Sequence, residues 1–454
     1  MSKTKLSKVN LTPVTDNLKQ DYLYVDNEIQ SSLKRLSFFK HFRRFSSISK
    51  RHGYSIESVV FTVIIWAFLK KSSIKTFCEK CIKAFFSGGK DVLYGIMKSE
   101  AINWRQVSYS TAKEIYKQNN LSMDQESAFV FDDSIKKRSG KKVEGTSLHF
   151  EHAEGRNVIG HQMLELGLSF KNGFLPLDRQ IYIGNKKRHL LNEEFKNKKS
   201  AVAKDFECAS EKNKNEMFRE MLARAIRNGF KAAYCLADSW FNSKENIKAV
   251  RDKGLVGIFR AKRSKLKYRF NGENYSLVEL YYLLKRRFKK QKNCNWKTVG
   301  VVVQLNISDD KKKEEWIDVK LVFSAPKNQK ANQWAAFLST DTGLKDNEIL
   351  RIYAMRWSIE VYFKEIKQNM GFLKEQSPSY VSHYASIHLT AIRYMLLFDI
   401  LLSQGDGTFA ELRNAMTGKI EMLTFASMLW ELFKAIIHGA LDSFKEIIGV
   451  HRRF

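Results

Sequence analysis

The chain has 454 residues, 44% of them hydrophobic, enough for about two to four ordinary domains with buried cores. Its 78 lysines and arginines outnumber 48 aspartates and glutamates, leaving a formal charge of +30 that predicts a polyanionic partner. The cations are spread along the chain rather than gathered beside one apolar anchor, so nucleic acid is expected and a membrane partner is not. Five cysteines in this length exclude a disulfide framework.

The start, MSKTKLSKVNLTPVTDN, lacks the apolar core of a signal peptide. The longest apolar run, Val59 to Leu69, is shorter than a bilayer span requires, so a cytoplasmic protein is expected. Cys78 and Cys81 form a lone Cys-x-x-Cys with no second ligand pair at suitable spacing, and zinc is not expected there.

Residues 1 to about 120 read as helical, with apolar periodicity in SIESVVFTVIIWAFLKK and SIKTFCEKCIKAFF. Within them, Lys34, Arg35, Lys40, Arg43, Arg44, Lys50 and Arg51 are interleaved with Phe38, Phe39, Phe42 and Phe45. Such a segment can grip a phosphate backbone, or it can be an amphipathic helix with its phenylalanines in a core; spacing favours neither.

From about residue 125 strands are expected in SAFVFDDS, GHQMLELGLSF and LPLDRQIYI, suggesting an antiparallel meander. A lysine-rich stretch from Asn185 to Asn215 leads into a helix, EMFREMLARAIRNGF, and then the apolar run KAAYCLADSWF. Residues 260–330 are basic and strand-rich. EILRIYAMRWSIEVYFKEIKQNM reads as one helix, and the chain from Tyr380 onward as helical, with Arg393 and Asp399 interrupting an apolar segment.

On a helical wheel at about 100° per residue, Tyr353, Arg356, Glu360 and Lys367 fall within an arc of roughly 60°. A carboxylate beside a guanidinium, an ammonium and a phenol suits a metal-dependent phosphodiester site, the acid holding cation and the basic groups holding phosphate. Taken alone, Glu360 and its neighbours are as readily an ordinary charged helix surface. Two more acids change the balance: Asp132 and Asp133 directly follow Ala128 to Phe131, and Asp238 directly follows Ala232 to Ala237, both at expected strand ends. Two such strands and a carboxylate-bearing helix, in this order, match the plan of an RNase H-like nucleotidyl transferase core, an α/β fold. Three carboxylates brought together repel one another unless divalent cations neutralise them.

Tyr353, Arg356, Glu360 and Lys367 match the Tyr-x2-Arg-x3-Glu-x6-Lys signature of the insertion-sequence-four family of bacterial transposases, which the chain resembles over roughly residues 125–375. The family's first motif resembles Asp132-Asp133-Ser134, and its second catalytic aspartate resembles Asp238. Ser134 stands where many members have threonine, and ADSWF replaces the second motif's Asp-Arg-Glu-Ala-Asp, which keeps Asp133 as a rival to Asp132; the Asp-x-Ser spacing favours Asp132.

The resemblance implies Asp132, Asp238 and Glu360 as catalytic ligands of two Mg²⁺ ions, which Mn²⁺ can replace, and cut-and-paste transposition. It implies phosphate contacts by Tyr353, Arg356 and Lys367. It implies double-stranded DNA partners, the terminal inverted repeats and the target, held by a homodimer in a bacterial cytoplasm at the nucleoid. Hairpin-forming members stack a flipped base on tryptophan, for which Trp357 is the candidate here, although an aromatic beside such a helix is most often core.

The division that follows is a helical N-terminal DNA-binding domain (1–120), the RNase H-like core's first part (121–259), a β-rich insertion (260–330), the core's second part with the glutamate helix (331–375) and a helical C-terminal region (376–454). The alternatives are a catalytically inactive or domesticated transposase-derived DNA-binding protein, and an RNase H-like nuclease.

Overall fold

The computed structural model of the chain describes residues 28–49, 52–68, 73–80, 88–123, 126–140, 142–171, 173–290, 296–308, 314–328, 333–404, 409–415 and 417–418. The N-terminal stretch, Lys50, Arg51, Leu69 and Cys81 lie outside them, together with the expectations attached to them.

In chain order the elements are helices α1 (Phe38–Arg44), α2 (Ile56–Trp66), α3 (Ile74–Lys80), α4 (Lys90–Met97) and α5 (Trp104–Gln118), then strands β1 (Ala128–Lys137), β2 (Ser147–Glu151), β3 (Arg156–Phe170) and β4 (Gly173–Tyr182). Helices α6 (Ala201–Glu211) and α7 (Lys214–Arg227), strand β5 (Tyr234–Ala237), helix α8 (Lys244–Arg251) and strands β6 (Val256–Arg260), β7 (Lys267–Phe270) and β8 (Glu273–Ser276) follow. The rest is helix α9 (Leu277–Leu284), strands β9 (Lys289–Lys290), β10 (Trp296–Asn306), β11 (Trp316–Pro326) and β12 (Ala335–Ser339), and helices α10 (Asp346–Ala354), α11 (Trp357–Asn369) and α12 (Tyr380–Gln404). These group into two compact units, one of residues 1–102, 366–377 and 381–454, the other of residues 103–365 and 378–380.

In its described residues the first unit is helical. Ser55 caps α2 by accepting the N–H of Ser58 at 3.1 Å, and Val59, Val60, Val63, Ile64, Ile65 and Trp66 are all buried. Phe38 and Phe42 are buried too, so these two phenylalanines are core, while Lys34, Lys40, Arg43 and Arg44 are exposed. Helix α12 is long and apolar enough to cross a membrane by composition, yet 89% of its most apolar window is buried inside the protein.

The two charges that interrupt α12 have local reasons. Arg393 donates through Nε to the Ile64 carbonyl (3.1 Å), through Nη2 to Val63 (2.7 Å) and through Nη1 to Met370 (3.1 Å). It therefore satisfies carbonyls that the last turn of α2 leaves without intrahelical partners. Asp399 accepts from Arg35 at 2.7 Å.

The second unit is built on a twelve-stranded mixed sheet running β2-β3-β1-β5-β6-β12-β11-β10-β7-β8, with β4 also paired to β3 and β9 to β10. Strand β1 lies at its heart, antiparallel to β3 and parallel to β5, and β6 continues parallel to β5. Residues Ala128 to Phe131 are fully buried, as a strand covered on both faces must be; Phe131 packs edge-on against Phe218 of α7 (4.9 Å between centroids) and Phe241 (4.7 Å).

The three expected strands are present as β1, β3 and β4, with β3 antiparallel to both of the others, and the short strand β2 comes between β1 and β3 in sequence. Helix α6, inside the lysine-rich stretch, and helix α9, inside the strand-rich segment, were not legible from periodicity; each is only 8 to 11 residues long. The long helix expected from Glu348 to Met370 is broken. Ser169 of β3 donates to the Met355 carbonyl at 3.1 Å, and the amides of Met355, Arg356, Ser358 and Ile359 turn to acceptors three residues back. Tyr353 thus sits on α10, Glu360 on α11, and Arg356 at the joint between them.

Candidate active site

Parallel pairing of β1 with β5 aligns Phe131 with Ala237, the last matched pair, so Asp132 and Asp238 are the next residues on adjacent strands. Neighbouring strands run about 4.8 Å apart, which sets two carboxylates side by side where β5 ends. Asp238 Oδ1 accepts the Trp240 N–H at 3.0 Å, holding the turn after β5.

Arg356 joins the third acid to the first. Its Nη1 donates to Asp132 Oδ2 at 2.6 Å, and its Nη2 donates to Glu360 Oε1, one turn on in α11. Asp132 and Arg356 are less than a fifth exposed and Glu360 a third. Residues more than two hundred positions apart in sequence therefore meet through one guanidinium.

Asp133 faces other partners. Its Oδ1 accepts from Gln162 Nε2 and its Oδ2 from Lys214 Nζ, both at 2.8 Å. Successive strand residues point to opposite faces, and here one aspartate takes Arg356 while the next takes the β3 glutamine and the α7 lysine.

The acids are short of positive charge. Burial pushes the Asp132 carboxyl up to about 7; Arg356 works against this, and the neighbouring Asp133 and Asp238 add to it. Burial also raises Asp238, helped by Asp133 and opposed by the Trp240 and Phe241 amides and by Arg356. Burial disfavours charge on Arg356, yet Asp132, Tyr353 and Glu360 together hold its guanidinium above the ordinary value. The Tyr353 phenol is pushed up to about 12 by burial, and its ring packs on Phe337 at 4.7 Å, with the Arg356 guanidinium 5.8 Å from the ring centre.

The donors are hard carboxylate oxygens, the chemistry Mg²⁺ and Mn²⁺ favour, and their mutual repulsion is the charge deficit a divalent cation would remove. Among the described residues no three His, Cys, Asp or Glu side chains are gathered tightly enough to hold an ion as they stand, and the Arg356 guanidinium bonds both Asp132 and Glu360.

The remaining expected residues lie as follows. Lys367 is exposed in the last turn of α11, in the segment that groups with the first unit. Trp357, at the start of α11, is 65% exposed, which corrects the expectation that it is core. Gln162, Lys214 and Trp240 had not been singled out; only the departure of ADSWF from the usual second motif pointed near them.

Two family models match. One, described as a DDE superfamily endonuclease, covers residues 89–274; the other, described as a transposase DDE domain, covers residues 196–396. The chain carries a transposase DDE domain. Its function is that of a DDE transposase, and enzymes of the DDE superfamily generally use divalent metal ions. No curated protein matches the chain. Among solved structures, the DDE transposase is similar to piggyBac transposase in its synaptic complex with hairpin DNA, at 10% identity over 88% of this chain and 81% of that one, with a TM-score of 0.45. It is similar also to the Drosophila P element transposase strand transfer complex, at 7% identity over 89% and 92%, with a TM-score of 0.24. At these scores neither likeness adds to what the two domain models establish.

Proposed function

We propose that this DDE transposase, a member of the insertion-sequence-four family, cleaves the terminal inverted repeats of a bacterial element and joins them to target DNA, with Asp132, Asp238 and Glu360 as the ligands of two Mg²⁺ ions. The observation that supports this reading best is the meeting of Asp132 and Glu360 on the Arg356 guanidinium beside the strand that ends just before Asp238. The strand order β4-β3-β1-β5-β6, with the first three antiparallel and the last two parallel to β1, favours an RNase H-like core. The division into N-terminal, core, insertion and C-terminal parts given above is proposed with it.

When bound, such ions supply Lewis acidity at the attacking and departing oxygens of an in-line displacement at phosphorus. The chain's own groups do the rest. Asp132 is chosen over Asp133 because Asp133 is already engaged by Gln162 and Lys214 on the other face. Arg356, whose guanidinium lies 5.8 Å from the Tyr353 ring centre, would grip a phosphate bidentately when Asp132 and Glu360 hold cation. Lys367 contributes a further phosphate contact, and the exposed Trp357 an aromatic surface for DNA. A homodimer pairing two ends, acting at the nucleoid, completes the proposal.

The test is Mg²⁺-dependent cleavage of a DNA fragment bearing the element's own end, comparing the wild type with Glu360→Ala. End-specific nicking that disappears in the variant is the expected result; cleavage indifferent to the substitution removes Glu360 from the active site.

A further inference from the structure

One guanidinium stands where two acids meet. Arg356 donates through Nη1 to Asp132 Oδ2 at 2.6 Å and through Nη2 to Glu360 Oε1, so a single positive charge is shared by carboxylates on β1 and α11. Its buried Nε has no acceptor among the described residues, so the bridge leaves one donor of the fork unused. The residue itself sits at the joint between α10 and α11, in neither helix. The nearby Lys214 is taken by Asp133 at 2.8 Å, which leaves Arg356 as the cation on Asp132 and Glu360.

A guanidinium and a divalent ion cannot both sit between the same two carboxylates. Each needs the oxygens that Arg356 now holds, and an ion entering beside the guanidinium would face its charge at close range where Asp132 and Arg356 are less than a fifth exposed. Nor does Arg356 leave freely, because a charged fork withdrawn from two carboxylates and left bare in a partly buried place is costly. It leaves when another anion takes its donors. A phosphate, with paired oxygens that match the planar fork, is that anion, and DNA supplies it.

Resting on the transposase reading of these carboxylates, we propose that Arg356 is a gate on the cation site: without DNA it closes the site by bridging Asp132 and Glu360, and a DNA phosphate opens the site by drawing the guanidinium away. Phosphate and cation then strengthen one another's binding, a reciprocal coupling of about 5- to 150-fold by the ordinary scale of linked sites.

The deciding experiment is a calorimetric titration of Mn²⁺ into the full-length protein with no DNA present. Arg356→Gln removes the competing charge and is expected to bind Mn²⁺ about tenfold or more tightly than the wild type, within the same range of coupling. Arg356→Lys keeps the charge on an ammonium that lacks the planar fork, so its affinity should fall between the two, and it carries the test if the glutamine variant does not fold. An Mn²⁺ affinity that is unchanged or weaker once Arg356 is replaced overturns the gate. End binding gives a second readout. Replacing chelator by Ca²⁺, used to prevent cutting, should tighten the wild type on a fragment bearing the element's own end by a larger factor than it tightens Arg356→Gln; equal factors also overturn the gate. The Mn²⁺ titration needs no DNA, so the two ideas fail separately: a wild type that does not cut the end in Mg²⁺, with Mn²⁺ bound more tightly by the variants, keeps Arg356 as the competitor for the cation site and removes the transposase reading.

Discussion

Two groups of carboxylates and arginines share the second unit, and they are built for opposite ends. On β3 and β4, Glu165 and Arg179 are fully buried and paired at 3.1–3.3 Å, and Arg179 also reaches Ser108 at 2.5 Å. Beside them Asp178 takes Arg224 at 2.8 Å and Arg105 at 3.3 Å, while Asp205 takes Arg105 and the Tyr380 hydroxyl at 2.6 Å. There, although burial opposes it, Arg224 and Arg105 hold Asp178 below its ordinary range, while burial pushes Glu165 up to about 7 against the pull of Arg179 and raises Asp205 as well. At the end of β1 and β5 Asp132, Asp133, Asp238 and Glu360 share Arg356 and Lys214, and Asp132 is likewise raised to about 7. The difference lies in the number of cations per acid: three arginines serve Glu165, Asp178 and Asp205, whereas Arg356 and Lys214 serve four carboxylates.

That contrast breaks most visibly in cleavage. Asp132→Asn is expected to lower Mg²⁺-dependent end cleavage on the order of 10³-fold or more while leaving the melting temperature within a few degrees, and Asp133→Asn to cost far less. Gel assays on the element's end read both, and equal losses for the two variants would collapse the distinction between the two strand faces.

Arg179→Ala should do the converse. Removing it leaves Glu165 buried and unpaired, at a cost of about 3–5 kcal/mol in chemical denaturation, with activity per folded molecule retained. A variant that folds with full stability and fails only in cleavage would place the β3–β4 group in the reaction.

A smaller effect sharpens the difference in charge. A carboxyl raised from 3.8 to about 7 in the fold contributes stability that is complete below pH 3.8 and is lost as pH rises through 7. In divalent-free buffer the wild type should lose roughly 2 kcal/mol between pH 5 and 8 relative to Asp132→Asn, and Mg²⁺ should close that gap. A difference of the opposite sign would mean that Arg356 already compensates Asp132. The smallest expected change is in Lys367→Ala, whose end binding should fall evenly across sequences with a salt slope lower by about one.

Much of this site was legible in the sequence for a physical reason. Apolar runs that end in aspartate mark buried strands emerging at a sheet edge, and a Tyr-Arg-Glu-Lys spacing survives in the chain whatever its helix does, so Asp132, Asp238, Arg356 and Glu360 could be named before any coordinates. Periodicity also placed β1, β3 and β4, because long buried strands carry a strong pattern. What only the tertiary structure decided was pairing and face. The β1–β5 register sets Asp132 beside Asp238, the Ser169 hydroxyl of β3 bonds the Met355 carbonyl where the glutamate helix is interrupted, Gln162 and Lys214 hold Asp133 while Arg356 holds Asp132, and Trp240 is exposed while Phe241 is buried. Each depends on a partner distant in sequence, and local spacing carries no record of who that partner will be.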